Sequence, residues 1–285
     1  MKASGLVHRR TLLAAASVAL PRPGRAVASV RFGLTPVFLD SDLVLLRDLG
    51  GHLEAALGVP VQLVKRRTYQ EVIAMLLAGQ LDAAWICGFP YVRHADRLSL
   101  LAVPLHHGRP LYQSYLISDA SLEASSIEDL RGRSHAFSDP DSNSGFLVTR
   151  WLLAARQERP EEFFNRPFFA YGHRNVLRAV GAGLAESGSV DGYVWETVAD
   201  REPALTAGTR VIARSEWHGF PPICCLTERR EGPTARALAA AFTGMAGHPS
   251  GRRVLEALQL DGFVPGAPSL YDGIARMAAA VGMPR

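Results

Sequence analysis

Phe137-Ser138-Asp139-Pro140-Asp141-Ser142-Asn143-Ser144-Gly145-Phe146-Leu147 reads as a junction between two kinds of structure. Ser134 to Phe137 suits a strand, and a polar turn follows. Gly145 to Arg156 then repeats apolar positions at helical spacing, with Leu147, Val148, Trp151, Leu152 and Ala155 on one face. Ser142, Asn143 and Ser144 are each suitable N-cap residues for that helix. A strand that feeds a helix through a short turn is the repeating unit of α/β folds.

The same rhythm extends on both sides. Towards the N-terminus, strands are expected at Val30–Leu34, Val61–Val64 and Ala83–Cys87. The helix between the first two is capped by Asp40 or Ser41, carries Leu46, Leu49, Leu53 and Leu57, and stops at Gly58. The next runs from Tyr69 to Ala78, with Val72, Ile73, Leu76 and Leu77 on one face and Gly79 as its stop. This order predicts a parallel layer with right-handed crossovers. Towards the C-terminus the pattern gives a helix around Asn175–Ala182, a buried strand at Val190–Val194, and helices around 233–246 and 269–281. Two extended runs, Gln113–Ser118 and Arg210–Ala213, bracket the middle unit. The expected architecture is therefore two α/β lobes joined by two crossings, with a hinged cleft between them. Residues 29–116 plus 214–285 form lobe 1 and residues 117–213 form lobe 2, each a mostly parallel sheet flanked by helices.

Residues 1–28 have the three parts of an export signal: Lys2, Arg9 and Arg10, then the uncharged run Thr11–Leu20, then the small-x-small site Ala26-Val27-Ala28. Arg9-Arg10 also admits twin-arginine export. The apolar run is well short of the roughly 20 residues a membrane span needs. The leader also explains the charge. The chain has 31 Lys+Arg against 27 Asp+Glu, a formal +4. Taking away Lys2, Arg9, Arg10, Arg22 and Arg25 leaves 26 basic residues and a formal charge of −1. No basic stripe or nucleic-acid motif remains. The expectation is an exported, monomeric protein outside the cytoplasm, with no nucleic-acid partner and no membrane insertion in the mature form.

The serine-rich turn carries the chemistry. First-turn amides of a helix have no intrahelical partner and attract anions. Two hydroxyls and an Asn amide add neutral donors, and Gly145 allows close approach to the backbone. A tetrahedral, phosphate-sized anion suits this arrangement. A plain capped helix is the competing reading, and Asp139 or Asp141 would repel an anion if aimed at it.

Serine-Asp-Pro-Asp-Ser-Asn-Ser-Gly, residues 138–145, resembles the anion-binding segment of PhnD-like solute-binding proteins of ABC transporters, with Asn143 where threonine is usual. Gly33-Leu34-Thr35-Pro36, Tyr69–Leu76, Leu81–Trp85, Tyr112–Ile117, Gly172–Val180 and Val190–Glu196 resemble other segments of that family, in its order. The resemblance covers about residues 30–230. It implies a type II periplasmic-binding-protein fold that captures phosphonate, phosphite or phosphate between the lobes and delivers it to an ABC transporter permease. It further implies that Ser142, Asn143, Ser144 and Gly145 hold the anion. Tyr69, Tyr112 and His173 would add hydrogen bonds, Thr35 would line the wall, and Glu196 would meet an amine on the ligand.

Three alternatives stay open: a periplasmic sensing domain, a relative with a changed ligand class, and an enzyme. The insertion-like Ala185–Ser189 and Asn143 keep the second alive. An enzyme would need a nucleophile, and Cys87 sits in an apolar run without a recognised nucleophile motif. Cys224-Cys225 read as small buried hydrophobes. The pair His106-His107 alone does not make a metal site, so neither cofactor nor metal is expected.

Overall fold

The computed structural model describes residues 29–36 and 43–282. The expected leader and the Asp40 or Ser41 cap lie outside them. Among the described residues, thirteen strands form three sheets. The first contains β1 (Val30–Leu34), β2 (Val61–Lys65), β3 (Ala83–Trp85), β4 (Leu98–Leu105), β12 (Ile223–Leu226) and β13 (Gly262–Val264), in the order β13-β4-β12-β3-β1-β2. The second contains β6 (Ser114–Asp119), β7 (Ser134–Phe137), β8 (Arg166–Phe169), β9 (Ser187–Asp191) and β10 (Thr209–Arg214), in the order β10-β6-β9-β7-β8. Two short strands, β5 (Leu111–Tyr112) and β11 (His218–Gly219), pair with each other where the chain passes between the larger sheets.

The fold is the expected α/β arrangement with helices flanking the sheets, and each sheet has a parallel core to which antiparallel strands are added. β1 runs parallel to β2 and β3, and the three pairings of β12 and β13 are antiparallel. In the second sheet β7 is parallel to β8 and β9, whereas β6 is antiparallel to β9 and β10. β6 and β12 follow the short extended strands β5 and β11 directly, and an extended crossing imposes no right-handed helical return.

Several boundaries move. The strand expected to reach Val194 stops at Asp191, whose carboxylate accepts the Val194 amide at 3.3 Å and caps a helix over Gly192–Arg201. The insertion-like Ala185–Ser189 is largely β9, a central strand. Its Ser187 and Ser189 hydroxyls meet both ring nitrogens of buried His135, at 2.8 and 2.9 Å. A helix over Pro249–Leu258 was not anticipated. The helix placed at Asn175 begins at His173.

The serine turn sits at the end of β7. It opens as one π-helical turn, Asn143–Leu147, and continues as an α-helix over Val148–Ala154. Phe146 anchors this start. Its ring packs on Phe137 at 5.1 Å and Phe169 at 5.2 Å, on the strands beneath.

Candidate functional site

Six of the expected residues converge and are buried: Ser142, Asn143, Ser144, Tyr69, Tyr112 and His173. Ser142 is the N-cap, its hydroxyl oxygen accepting the Gly145 amide at 2.9 Å, which leaves its own proton to donate. Asn143 Nδ2 donates to the Tyr112 phenol oxygen at 2.9 Å. The Ser144 carbonyl accepts from the Ser114 hydroxyl at 2.7 Å, tying the turn to β6. Burial pushes the Tyr112 phenol well above its usual range, against opposing hydrogen bonds from Asn143 and Ser144.

His173 is locked as a donor. Its Nδ1 accepts the Asp191 backbone amide at 3.1 Å, so the proton of the neutral ring sits on Nε2. Nε2 faces the Tyr69 phenol oxygen at 3.4 Å. Burial pushes the imidazole down to about 3, so it stays neutral throughout the physiological range. Burial likewise raises the Tyr69 phenol well above its ordinary value. Each of these groups donates hydrogen bonds and carries no charge.

The two aspartates of the turn are engaged elsewhere. Asp139 accepts the Tyr69 amide at 3.2 Å, Gln70 Nε2 at 3.1 Å and the Asp141 amide at 2.9 Å. It thereby serves the start of the helix Tyr69–Leu77, whose capping box is Thr68 with Glu71. Asp141 pairs with Arg93 at 2.6 Å. Both contacts join the second sheet's turn to helices of the first.

Gly145 has a different reason from the one expected. A Cβ there would lie 1.8 Å from Ser138 Oγ and 2.6 Å from Ser138 Cβ, so a serine side chain fills its open face. Thr35 donates its hydroxyl to the Trp85 carbonyl at 3.1 Å, which leaves it only an acceptor. Glu196 makes none of these contacts. It accepts the Tyr115 hydroxyl and lies in an adjoining cleft of about 750 Å³, of which Tyr112 is a shared wall.

Sequence reasoning missed Ser138, Asp139 and Cys87 as parts of the site. Cys87 Sγ accepts the Asn143 amide at 3.3 Å, bringing the end of the first sheet onto the turn. Its thiol is pushed up to about 11 by burial, so almost no thiolate is present at neutral pH. No local signal marks that contact, because 56 residues separate its partners.

Two α/β sheets joined by paired extended segments, with buried neutral side chains gathered where they meet, give the two-lobed architecture of the type II periplasmic-binding-protein class. Residues 32–271 match the family described as ABC transporter, phosphonate, periplasmic substrate-binding protein. The chain belongs to that family of extracytoplasmic transporter components. It is 28% identical over 236 residues to the phosphate-import protein PhnD of Mycolicibacterium smegmatis, covering 73% of this chain and 74% of that one. Its fold is similar to PhnD1 of Prochlorococcus marinus in complex with methylphosphonate (TM-score 0.80, 16% identity, 90% and 98% covered). It is also similar to a binding protein component of the ABC phosphonate transporter of Pseudomonas aeruginosa (TM-score 0.82, 18% identity, 90% and 87% covered). Among the described residues, no helix is long and apolar enough to cross a membrane.

Proposed function

We propose that this protein captures a tetrahedral phosphorus oxyanion (phosphonate, phosphite or phosphate) and delivers it to an ABC transporter permease. The observation that carries the reading is the convergence of neutral donors at the Ser142–Ser144 turn, with Asp139 and Asp141 both turned to other partners. Ser142 Oγ, the Ser144 hydroxyl, Tyr69 Oη, Tyr112 Oη and His173 Nε2 donate to the anion. Asn143 orients Tyr112, Gly145 shapes the turn, and Thr35 lines the wall. Charge on the ligand is met by oriented dipoles in a dry site, where each charge-assisted bond is strong. Glu196 serves the far end of a ligand that carries an amine.

Lobe 1 is residues 29–116 plus 214–285 and lobe 2 is residues 117–213, hinged where β5 and β11 pair. The ligand stabilises the closed arrangement through its differential affinity for it. Residues 1–28 direct export, and the mature protein is a monomer without catalytic activity.

A thermal-shift panel of phosphate, phosphite, sulfate, methylphosphonate and aminoethylphosphonate tests the reading. A ligand at a hundred times its Kd raises the melting temperature by about 5–10 °C. The double variant Ser142→Ala/Ser144→Ala removes that shift. No shift with any member of the panel overturns the proposal.

A further inference from the structure

His106 and His107 follow the end of β4, and Glu196 lies on the helix Gly192–Arg201 that follows β9. One ligand atom from each of the three falls within 4.8 Å of the others. From this juxtaposition we propose a transition-metal site, of the kind that takes Zn²⁺ or Ni²⁺, bridging the first sheet to the second. Two imidazoles and one carboxylate form a donor set suited to these ions rather than to Mg²⁺ or Ca²⁺.

Three features build the site beyond mere proximity. First, the histidines are presented by a tight turn. His106 and Arg109 exchange backbone hydrogen bonds at 2.9 and 3.1 Å, with His107 at φ 50° and Gly108 at φ 71° between them. Two consecutive left-handed residues make the two-residue hairpin turn of type I′. Glycine or asparagine would occupy the first of these at lower cost, so a histidine there holds a less favourable backbone. Asp261 fixes the turn from outside, accepting the Gly108 amide at 2.7 Å. Second, the carboxylate is oriented. Tyr115 donates to Glu196 Oε1, which leaves Oε2 to ligate, the outer-shell arrangement that metal-bound carboxylates use. Third, the ligands line the cleft of about 750 Å³ that also holds Asp200, Glu256 and Asp261, an acidic surrounding that concentrates cations. Three protein ligands leave a fourth position open towards that cleft.

The site shares Glu196 with the amine contact proposed above, but its test contains neither oxyanion nor amine, so the two readings fail separately. Untagged, chelator-treated mature protein is titrated calorimetrically with ZnCl₂ and with NiCl₂. One-site binding is expected for at least Zn²⁺. His107→Ala and Glu196→Gln each weaken it at least about tenfold, and Tyr115→Phe, which removes only the orienting hydroxyl, weakens it by about tenfold. His107 is exposed, so its alanine variant folds, and the metal-free melting temperature of each variant checks this. Absence of Zn²⁺ binding overturns the proposal. So does Zn²⁺ binding that is unchanged in both His107→Ala and Glu196→Gln.

Discussion

The serine turn and the His106–Glu196 cleft lie on either side of Tyr112, and they treat charge in opposite ways. At the turn, the buried side chains are neutral, and the nearby carboxylates are spent on Arg93 and on a helix start. In the cleft, carboxylates and imidazoles stand together half-exposed, held by Tyr115, Gln259 and a backbone amide. In the proposed reading, burial and oriented dipoles take the place of fixed cations in holding the anion. A site for a cation needs formal charge but tolerates water.

The largest test of this contrast is steric. Gly145→Ala forces a Cβ onto Ser138 and is expected to destabilise the protein by about 3 kcal/mol, the upper range for overpacking, read by urea denaturation. Adding Ser138→Gly removes the clash and recovers most of the loss. A Gly145→Ala variant of undiminished stability would show that the turn is loosely packed after all.

Acid is the next lever. His135 and His173 are depressed to about 3 and His218 to about 4, all by burial. Unfolded histidines titrate near 6.5, so between about 6.5 and 4 the unfolded chain binds more protons at these positions and stability falls as pH falls. Each contributes a slope of about 1.4 kcal/mol per pH unit inside its window. Asp191 acts the other way. Burial raises it to about 7, so its contribution grows as pH drops from 7 towards 4. Three histidines outweigh one aspartate, and the melting temperature should decline below pH 6.5. His135→Gln should make that decline shallower, and Asp191→Asn should make it steeper.

Arg93→Ala frees Asp141 to face the turn, and we expect oxyanion affinity to drop about tenfold by calorimetry, with less loss at high salt. The smallest effect belongs to the cleft. His107→Gly relieves a left-handed backbone and should shift stability by no more than about 1 kcal/mol, in the favourable direction.

Much of the fold was legible because its signals are local. The strand–turn–helix at 134–156 and the β-α-β opening each fit in a short window, and Gly58 and Gly79 adopt the left-handed φ their stop positions require. What escaped was mostly non-local or brief, although β4 (Leu98–Leu105), an eight-residue and largely apolar run, was also passed over. β13 has three residues, so its apolar pattern has no period to measure. The helix Pro249–Leu258 buries only Gly251, Val254, Leu255 and Leu258, beneath a run of arginines. Strand direction depends on how the chain re-enters a sheet, which no side-chain pattern encodes. At the site, the serines, Asn143 and His173 were legible from their own segments. Cys87, Asp139 and the pairing of His106 with Glu196 arise only when distant segments meet.

The position of β12 has a consequence for biosynthesis. It lies between β3 and β4, so the first sheet has a vacant central slot until residues 223–226 are made. β3 and β4 have no direct ladder to each other, and the early half of the chain cannot close its own core. β1, β2 and β3 can pair among themselves, but joining them to β4 must wait for a segment that follows the entire second sheet. The first sheet therefore stays divided until late in synthesis, and a chain truncated before Ile223 is expected to be protease-sensitive where the full-length protein is resistant.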